Sequence, residues 1–259
     1  MTATTGEGLQ RKLRESVLEL SISRPDRMNA VDMPTMRELG AAIREAGHDP
    51  SVRSVLITGS GTAFCTGADL AAAATNPADP AVVMDVANEV IRAIVEAPVP
   101  VVAAVNGPAA GVGVSIALAA DLTYAADSAY FLLAFVGIGL MPDGGSSALV
   151  SASIGRAKAA ELALLGERLP AIEADRLGLV SRALPDDELL DHARAVAARL
   201  AAGPRRALEL TKRALTAGTL AALDDALERE KVGQSELLAS ADFAEGAAAM
   251  LQKRSPRYR

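Results

Sequence analysis

Two short glycine-containing turns, each directly after an apolar run, restrict the fold of this chain more than any other feature. The first lies in AFCTGADL at residues 63–70, and the second lies in NGPAAGVGVSIALAAD at residues 106–121. The second turn also opens a helix of small apolar residues. The first N–H groups of a helix have no carbonyl partner inside it, so they can bind an anion. Two such turns that converge would form an oxyanion hole from the backbone alone.

Other interpretations of these glycines are weaker. They could simply form tight turns that permit close packing. A dinucleotide-binding fingerprint requires a third glycine, but Gly111 and Gly113 are followed by Ile116 at that position. The two histidines, His48 and His192, stand alone on polar helix faces, so we expect them to be solvated and predict no metal site.

Composition restricts the class of protein. Half of the 259 residues are hydrophobic but only 3% are aromatic and none is Trp, so we expect a core of Ala, Val, Leu and Ile. The net charge of −6 argues against a nucleic-acid partner. The single cysteine, Cys65, fits a reducing compartment. Residues 1–16 lack the apolar segment of a signal peptide, and no apolar run is long enough to span a membrane. We therefore expect a cytoplasmic protein with no membrane partner.

Hydrophobic periodicity predicts an α/β protein with a helical end. Strands are expected at residues 17–23, 52–58, 101–105 and 122–125. One amphipathic helix is expected to start after Asp32, and a second is expected to run through residues 83–94. After about residue 144 the pattern becomes helical, with helices near 144–153, 156–165, 188–202, 204–216 and 220–239. Asp242 and Glu245 have the spacing of a capping pair for a last helix.

The chain resembles the crotonase (enoyl-CoA hydratase/isomerase) superfamily. The motifs that carry the resemblance are AFCTGADL, NGPAAGVGVSIALAAD and GIGLMPDGG, in this order and at this spacing. Further matches extend it over residues 18–216, from SRPDRMNAVD to GPRRALELTKRAL. The resemblance implies a spiral of β-β-α units at residues 1–200. A helical region at residues 201–259 would serve as lid and oligomerisation surface, usually in trimers or dimers of trimers.

The resemblance also implies where an acyl-CoA thioester binds. The two oxyanion donors would be the backbone N–H groups of Ala68 and Val112. Coenzyme A would lie near Ala68, Asp69, Leu70 and Val112, with Arg24 or Arg27 as a phosphate partner. Each arginine could equally be a solvated turn charge, and Asp69 could bond to the backbone instead. No metal or separate cofactor is expected, because coenzyme A is part of the substrate.

The family's hydratases use two glutamates, and this chain has neither. Laying their pattern on the sequence places Ser115 and Phe135 at the two positions. Paired carboxylates are what that hydration mechanism requires. The remaining nearby acid is Asp143, in GLMPDGG. An NGxAAG turn without the first glutamate, combined with GLxPDxG, resembles the branch of isomerases that act on ring-epoxidised phenylacetyl-CoA and on 3-enoyl-CoA esters.

These residues predict an acyl-CoA isomerase with Asp143 as its acid/base. Apolar neighbours would raise the pKa of Asp143, and one carboxylate suffices to move a proton from C2 to C4 of the acyl group. The competing interpretation of Asp143 is a helix N-cap before Gly144 and Gly145. Two other functions stay open: a hydratase with an atypical active site, and a non-catalytic acyl-CoA-binding protein. Nucleophilic roles for Cys65 and Ser115 are disfavoured, since neither has an evident base.

Overall fold

The computed structural model describes residues 3–5, 8–76 and 78–258. Its strands are β1 (Ala3–Thr5), β2 (Leu9–Arg14), β3 (Val17–Ile22), β4 (Ser54–Gly59), β5 (Val101–Val105), β6 (Ala109–Ala110), β7 (Leu122–Ala126), β8 (Tyr130–Leu132), β9 (Arg168–Pro170) and β10 (Arg182–Leu184). Its α-helices are α1 (Met33–His48), α2 (Leu70–Thr75), α3 (Pro80–Glu96), α4 (Val112–Ala119), α5 (Ser146–Leu165), α6 (Ala171–Leu177), α7 (Asp186–Ala201), α8 (Arg205–Thr219), α9 (Leu223–Leu238) and α10 (Ala241–Leu251). Short 3-10 segments lie at Pro25–Arg27 and Ala134–Ile138. The predicted α/β class is confirmed.

The main sheet has seven strands in the order β1-β2-β3-β4-β5-β7-β10. The pairs β1/β2 and β2/β3 are antiparallel, and the remaining pairs are parallel. Strand β5 is buried along its whole length and β4 is buried up to its last residue, Gly59. Strands this apolar are typical of the parallel centre of a sheet that is covered on both faces. Helices α1 and α3 pack against each other, and α7 packs across β4, β5 and β7.

A second sheet of three strands, in the order β6-β8-β9, lies next to the second glycine turn. Strand β6 pairs in parallel with β8, which pairs antiparallel with β9. Helix α4 follows β6 directly and is buried on nearly every side. A helix that is apolar all round must lie in the interior, so the sequence VGVSIALA brings this turn against the core.

The core is aliphatic, as composition predicted, with Phe64 its largest fully buried side chain. The predicted strand at residues 101–105 is confirmed, and those at 17–23, 52–58 and 122–125 are confirmed to within two residues. Strand β2 was missed because its apolar residues, Leu9 and Leu13, do not alternate with polar ones. It is a strand because it pairs with β3, with Leu9 opposite Ile22 and Leu13 opposite Leu18.

Two helix predictions need correction. Helix α5 starts at Ser146 rather than near 144, because Gly144 and Gly145 have φ of +61° and +77°. Gly155 (φ +76°) kinks this helix at the point where the sequence predicted a break. The predicted capping pair of the last helix is wrong: the N-cap of α10 is Ser240, whose hydroxyl accepts the N–H of Phe243. Glu245 pairs with Arg254 instead.

The C-terminal helices pack onto the rest of their own chain. Asn88 on α3 donates a 3.2 Å hydrogen bond to the carbonyl of Leu227 on α9. A Cβ placed on Gly246 of α10 would lie 2.6 Å from the backbone of Ile138, so that helix closely approaches the 3-10 segment at Ala134–Ile138. A boundary at residue 200/201 and an oligomerising role for residues 201–259 stay predictions.

Among the described residues, no helix combines the length and apolarity needed to cross a bilayer.

Candidate active site

The two glycine turns converge, as the sequence predicted. Cys65 and Ala109 form an isolated parallel β-bridge, and the N–H of Ala110 donates to the carbonyl of Cys65 at 2.9 Å. A Cβ placed on Gly67 would lie 3.7 Å from the Cα of Gly111, so the two glycines are in contact. Both have positive φ, +99° and +54°. Because L residues with a side chain rarely adopt such angles, glycine is required at both turns.

This contact brings the predicted oxyanion donors to one place. Ala68 follows Gly67, and Val112 follows Gly111 as the first residue of α4. The neighbouring N–H of Asp69 is used in a 2.9 Å bond to the carbonyl of Val31. Within the described part of the chain, the N–H groups of Ala68 and Val112 donate to no protein acceptor. Both remain available to an anionic oxygen.

The loop that carries Asp143 packs against Val112, the residue of the second donor. A Cβ placed on Gly144 would lie 3.4 Å from Cγ2 of Val112 and 3.0 Å from Oγ of Ser115. The Ser115 hydroxyl donates a 2.9 Å hydrogen bond to the backbone carbonyl of Asp143. The first turn of α4 therefore supports the loop that carries the carboxylate.

The two oxygens of the Asp143 carboxylate differ. Oδ2 accepts a 2.8 Å hydrogen bond from Nε2 of Gln234 on α9. Oδ1 is buried and has no partner among the described residues. Burial raises the pKa of Asp143 to about 7; the hydrogen bond from Gln234 lowers this pKa, and the charge of Glu230 raises it. Such a group can both accept and return a proton near neutral pH.

The N-cap interpretation of Asp143 is wrong. The N-cap position of α5 is Gly145, and no side chain at that position caps the helix. The capping acceptor is Glu230 of α9, which binds the N–H of Gly145 at 2.6 Å and the N–H of Ser147 at 3.0 Å. Because Glu230 satisfies these donors, the Asp143 side chain is not needed for them.

Glu230 and Gln234 were missed by sequence reasoning. They are buried to 1% exposure on α9. A signal was available, since both continue the buried helical stripe of Leu223 and Leu227 at intervals of three and four residues. Polar residues at such positions need buried partners.

The predicted coenzyme A residues are not gathered into one cluster. Arg27 is exposed in the 3-10 segment at Pro25–Arg27. Arg24 forms ion pairs with Asp32 and Asp69, at 3.1 Å and 3.0 Å. Asp69 also caps α2 by accepting the N–H of Ala72 at 3.0 Å. Of the two interpretations of Asp69, the structure therefore shows the hydrogen bond to the backbone. Leu70 is partly exposed and is the first residue of α2. The coenzyme A roles of Arg27, Asp69 and Leu70 stay predictions.

The disfavoured nucleophiles are enclosed. Cys65 is fully buried, and burial raises the pKa of its thiol to about 12. Ser115 is also fully buried, with its hydroxyl engaged by the carbonyl of Asp143. Phe135, at the second glutamate position, packs near Gly111. These side chains enclose the site without providing a second acid.

A mainly apolar cleft of about 250 Å³ adjoins the Asp143 loop. Pro142 and Ser146, on either side of the segment 143–145, both line it. The rest of its wall comes mainly from α5 and consists of Leu133, Ser147, Val150, Ser151, Arg156, Ala159, Ala160, Ala163 and Leu164. An apolar group of small-molecule size could therefore lie next to this loop.

Comparisons of sequence and of structure both relate this chain to one family of known proteins. A family model described as "Enoyl-CoA hydratase/isomerase" matches residues 12–259. A "Probable enoyl-CoA hydratase" of Rhodobacter capsulatus is 42% identical over 95% of this chain and 96% of the relative. A "1,2-epoxyphenylacetyl-CoA isomerase" of Escherichia coli is 36% identical over 95% of this chain and 96% of the relative.

A comparison with solved structures finds the same family. An enoyl-CoA hydratase from Mycobacterium avium subsp. paratuberculosis superimposes with a TM-score of 0.91 at 47% identity, over 97% of this chain and 98% of that one. The predicted crotonase-type fold is confirmed.

Proposed function

We propose that this chain is an isomerase that works through a thioester enolate. The chain belongs to the enoyl-CoA hydratase/isomerase family and is an enzyme acting on acyl-CoA thioesters. The observation that carries the proposal is the buried Asp143 carboxylate, whose Oδ1 has no partner among the described residues and whose pKa is raised to about 7. Ser115 and Phe135 stand where hydration would need glutamates. A proton shift requires one acid/base group, whereas the hydration mechanism requires paired carboxylates.

The proposed reaction moves one proton. Oδ1 of Asp143 accepts a proton from C2 of the acyl group, and the C–H electron pair becomes the enolate. The enolate oxygen is bound by the N–H groups of Ala68 and Val112, which donate to no acceptor within the described part of the chain. Asp143, which can exchange its proton with solvent, then delivers a proton to C4, which shifts the double bond. Opening of a ring epoxide would use the same enolate. We place the acyl group in the apolar cleft beside Pro142.

The substrate thioester supplies coenzyme A, and the proposal includes no metal or separate cofactor. We also propose a trimer or a dimer of trimers in the cytoplasm.

The alternative enzymatic function is hydration with an atypical active site. It is favoured by the name of the Rhodobacter capsulatus relative, a probable enoyl-CoA hydratase. The isomerase proposal is favoured by the Escherichia coli relative named for 1,2-epoxyphenylacetyl-CoA. In the hydratase alternative, Asp143 alone would hold the water.

Incubation with a 3-enoyl-CoA in deuterated water separates these functions. Deuterium uptake and double-bond position are followed by mass spectrometry and NMR in wild type, Asp143→Asn and the exposed control Asp187→Asn. Deuterium at C2 or C4 with a conjugated product, lost only in Asp143→Asn, is the expected result. A hydrated product would favour the hydratase. Binding without exchange, with a ring epoxide also inert, would indicate a non-catalytic binding protein.

A further inference from the structure

Helix α9 touches the Asp143 loop at two side chains that are one turn apart. Glu230 binds the backbone N–H groups of Gly145 and Ser147, whereas Gln234 binds Asp143 itself. Both side chains are almost completely buried. The carboxylate proposed as acid/base is therefore held by a helix that begins far along the sequence from it, at Leu223.

The carboxamide of Gln234 has a fixed orientation. Its Oε1 accepts the N–H of Met141 at 3.2 Å, so Nε2 is the group that faces Asp143. The neighbouring Gly233 packs against the same loop, because a Cβ placed there would clash with Sδ of Met141. An amide whose oxygen is already engaged by a backbone donor can only donate toward the carboxylate.

We propose that Gln234 is a positioning residue that occupies Oδ2 of Asp143 and thereby makes Oδ1 the oxygen that exchanges the proton with the acyl carbon. This inference rests on the isomerase function proposed above. The hydrogen bond fixes the rotation of the carboxyl group and leaves Oδ1 as its buried oxygen without a partner among the described residues. It also stabilises the charged form, which keeps part of the buried carboxyl ionised and able to act as a base.

Few ionisable side chains of the described residues lie near Asp143. Glu230 on α9 is the charged group that acts on it, and Arg229 acts in turn on Glu230. Helix α4, the segment Ala134–Ile138 and the first turn of α5 contribute no ionisable side chain. Helix α10 meets the loop through the backbone of Asp242, at Gly139. A change in the titration of Asp143 after substitution of Gln234 can therefore be assigned to the lost hydrogen bond.

The test compares two buried carboxamides, Gln234 on α9 and Asn88, which contacts α9 from α3. Gln234→Met removes the amide next to Asp143 at similar volume. Asn88→Leu removes the amide that fastens α9 to α3 by donating to the carbonyl of Leu227 rather than to Asp143. Titration of Asp143 is followed by infrared difference spectroscopy of its protonated-carboxyl band, identified by its loss in Asp143→Asn. Deuterium exchange into a 3-enoyl-CoA is measured across the same pH range.

We expect Gln234→Met to raise the pKa of Asp143 by about one unit, since a hydrogen bond to a charged group is lost. The exchange rate should fall about tenfold near neutral pH, with its pH profile displaced to higher pH and KM nearly unchanged. Gln234→Glu, which places a second negative charge there, should raise the pKa further. Asn88→Leu should lower thermal stability without displacing the titration.

An unchanged titration in Gln234→Met would overturn the proposal, and so would an equal displacement in Asn88→Leu, which would indicate general loosening of α9. The proposed function fails separately. If wild type shows no exchange while the carboxyl titration responds to Gln234→Met as expected, Gln234 still positions Asp143 but the isomerase assignment is wrong.

Discussion

The carboxylate of Glu230 accepts a 2.6 Å hydrogen bond from the backbone N–H of Gly145, 85 residues earlier in the chain. Gly145 is two residues after Asp143, and it also packs against Leu223 and Leu227 of α9. A buried carboxylate at the N-terminus of a helix is stabilised by N–H donors and by the helix dipole. The C-terminal helices therefore form part of the support of the candidate active site.

Asp143→Asn is expected to reduce proton exchange by about 10²–10⁴-fold, the usual contribution of a general base. In wild type, the rate should rise with pH through a midpoint near 7, because the base is the ionised form and the pKa of Asp143 is raised to about 7. Deuterium incorporation across a pH series measures both. A rate independent of pH in this range would contradict Asp143 as the base.

The same substitution should change how stability depends on pH. The pKa of Asp143 is raised from 3.8 to about 7 in the folded protein, so between these values the folded state binds more protons than the unfolded state. The free energy of unfolding should then fall as pH rises, by at most ~1.4 kcal/mol per pH unit. Asp143→Asn lacks this dependence.

Chemical denaturation at about pH 5 and about pH 8 measures the effect. Asp143→Asn should gain stability over wild type at the higher pH. Equal differences between the two proteins at both pH values would show that the carboxyl does not titrate in this range.

Alanine at Gly67 or Gly111 should weaken folding by about 1–3 kcal/mol, the usual cost of a strained backbone conformation, and should abolish exchange. Both glycines have positive φ and touch each other, so a methyl group displaces the N–H groups of Ala68 or Val112. Gly218→Ala is the matched control, because it lies within α8 with nothing within 4 Å of its added Cβ. Thermal unfolding and exchange assays compare the three.

Glu230→Gln should act on Asp143 in the direction opposite to Gln234→Met. Removal of the nearby negative charge lowers the pKa of Asp143, because that charge contributes to raising it. The midpoint of the pH–rate profile should move toward acid, while loss of charge-assisted bonds costs about 1–3 kcal/mol of stability. A midpoint displaced toward alkaline pH would contradict this electrostatic coupling.

Lys212→Met should destabilise the attachment of α8. The Nζ of Lys212 is buried between Asp121 at 2.9 Å and the carbonyl of Ile94 at 2.8 Å. Removing Lys212 leaves the partly exposed carboxylate of Asp121 and the buried carbonyl of Ile94 without their donor, and costs about 1–3 kcal/mol. Lys158→Met, which removes a more exposed pair with Glu161 on α5, should change stability by only about 0.5 kcal/mol. Denaturant midpoints test the difference, and equal effects would contradict it.

Local sequence was sufficient where a segment's own residues fix its structure. The apolar run of β5 and the apolar helix α4 predicted a buried strand–turn–helix whose turn ends at Val112. Positive φ at Gly67 and Gly111 is what glycine permits, so the two turns were recognised before their contact was known. The family resemblance identified Asp143 as the acid near them.

Tertiary structure decided what Asp143 touches. Its local sequence fitted a helix N-cap as well as a base, and the cap was excluded only because Glu230 occupies the N–H groups of Gly145 and Ser147. Which oxygen of Asp143 is free depends on Gln234, 91 residues away. The physical reason is that turns and helix starts are set by neighbouring dihedral angles, whereas desolvation and hydrogen bonding of a carboxyl depend on whichever distant side chains pack against it.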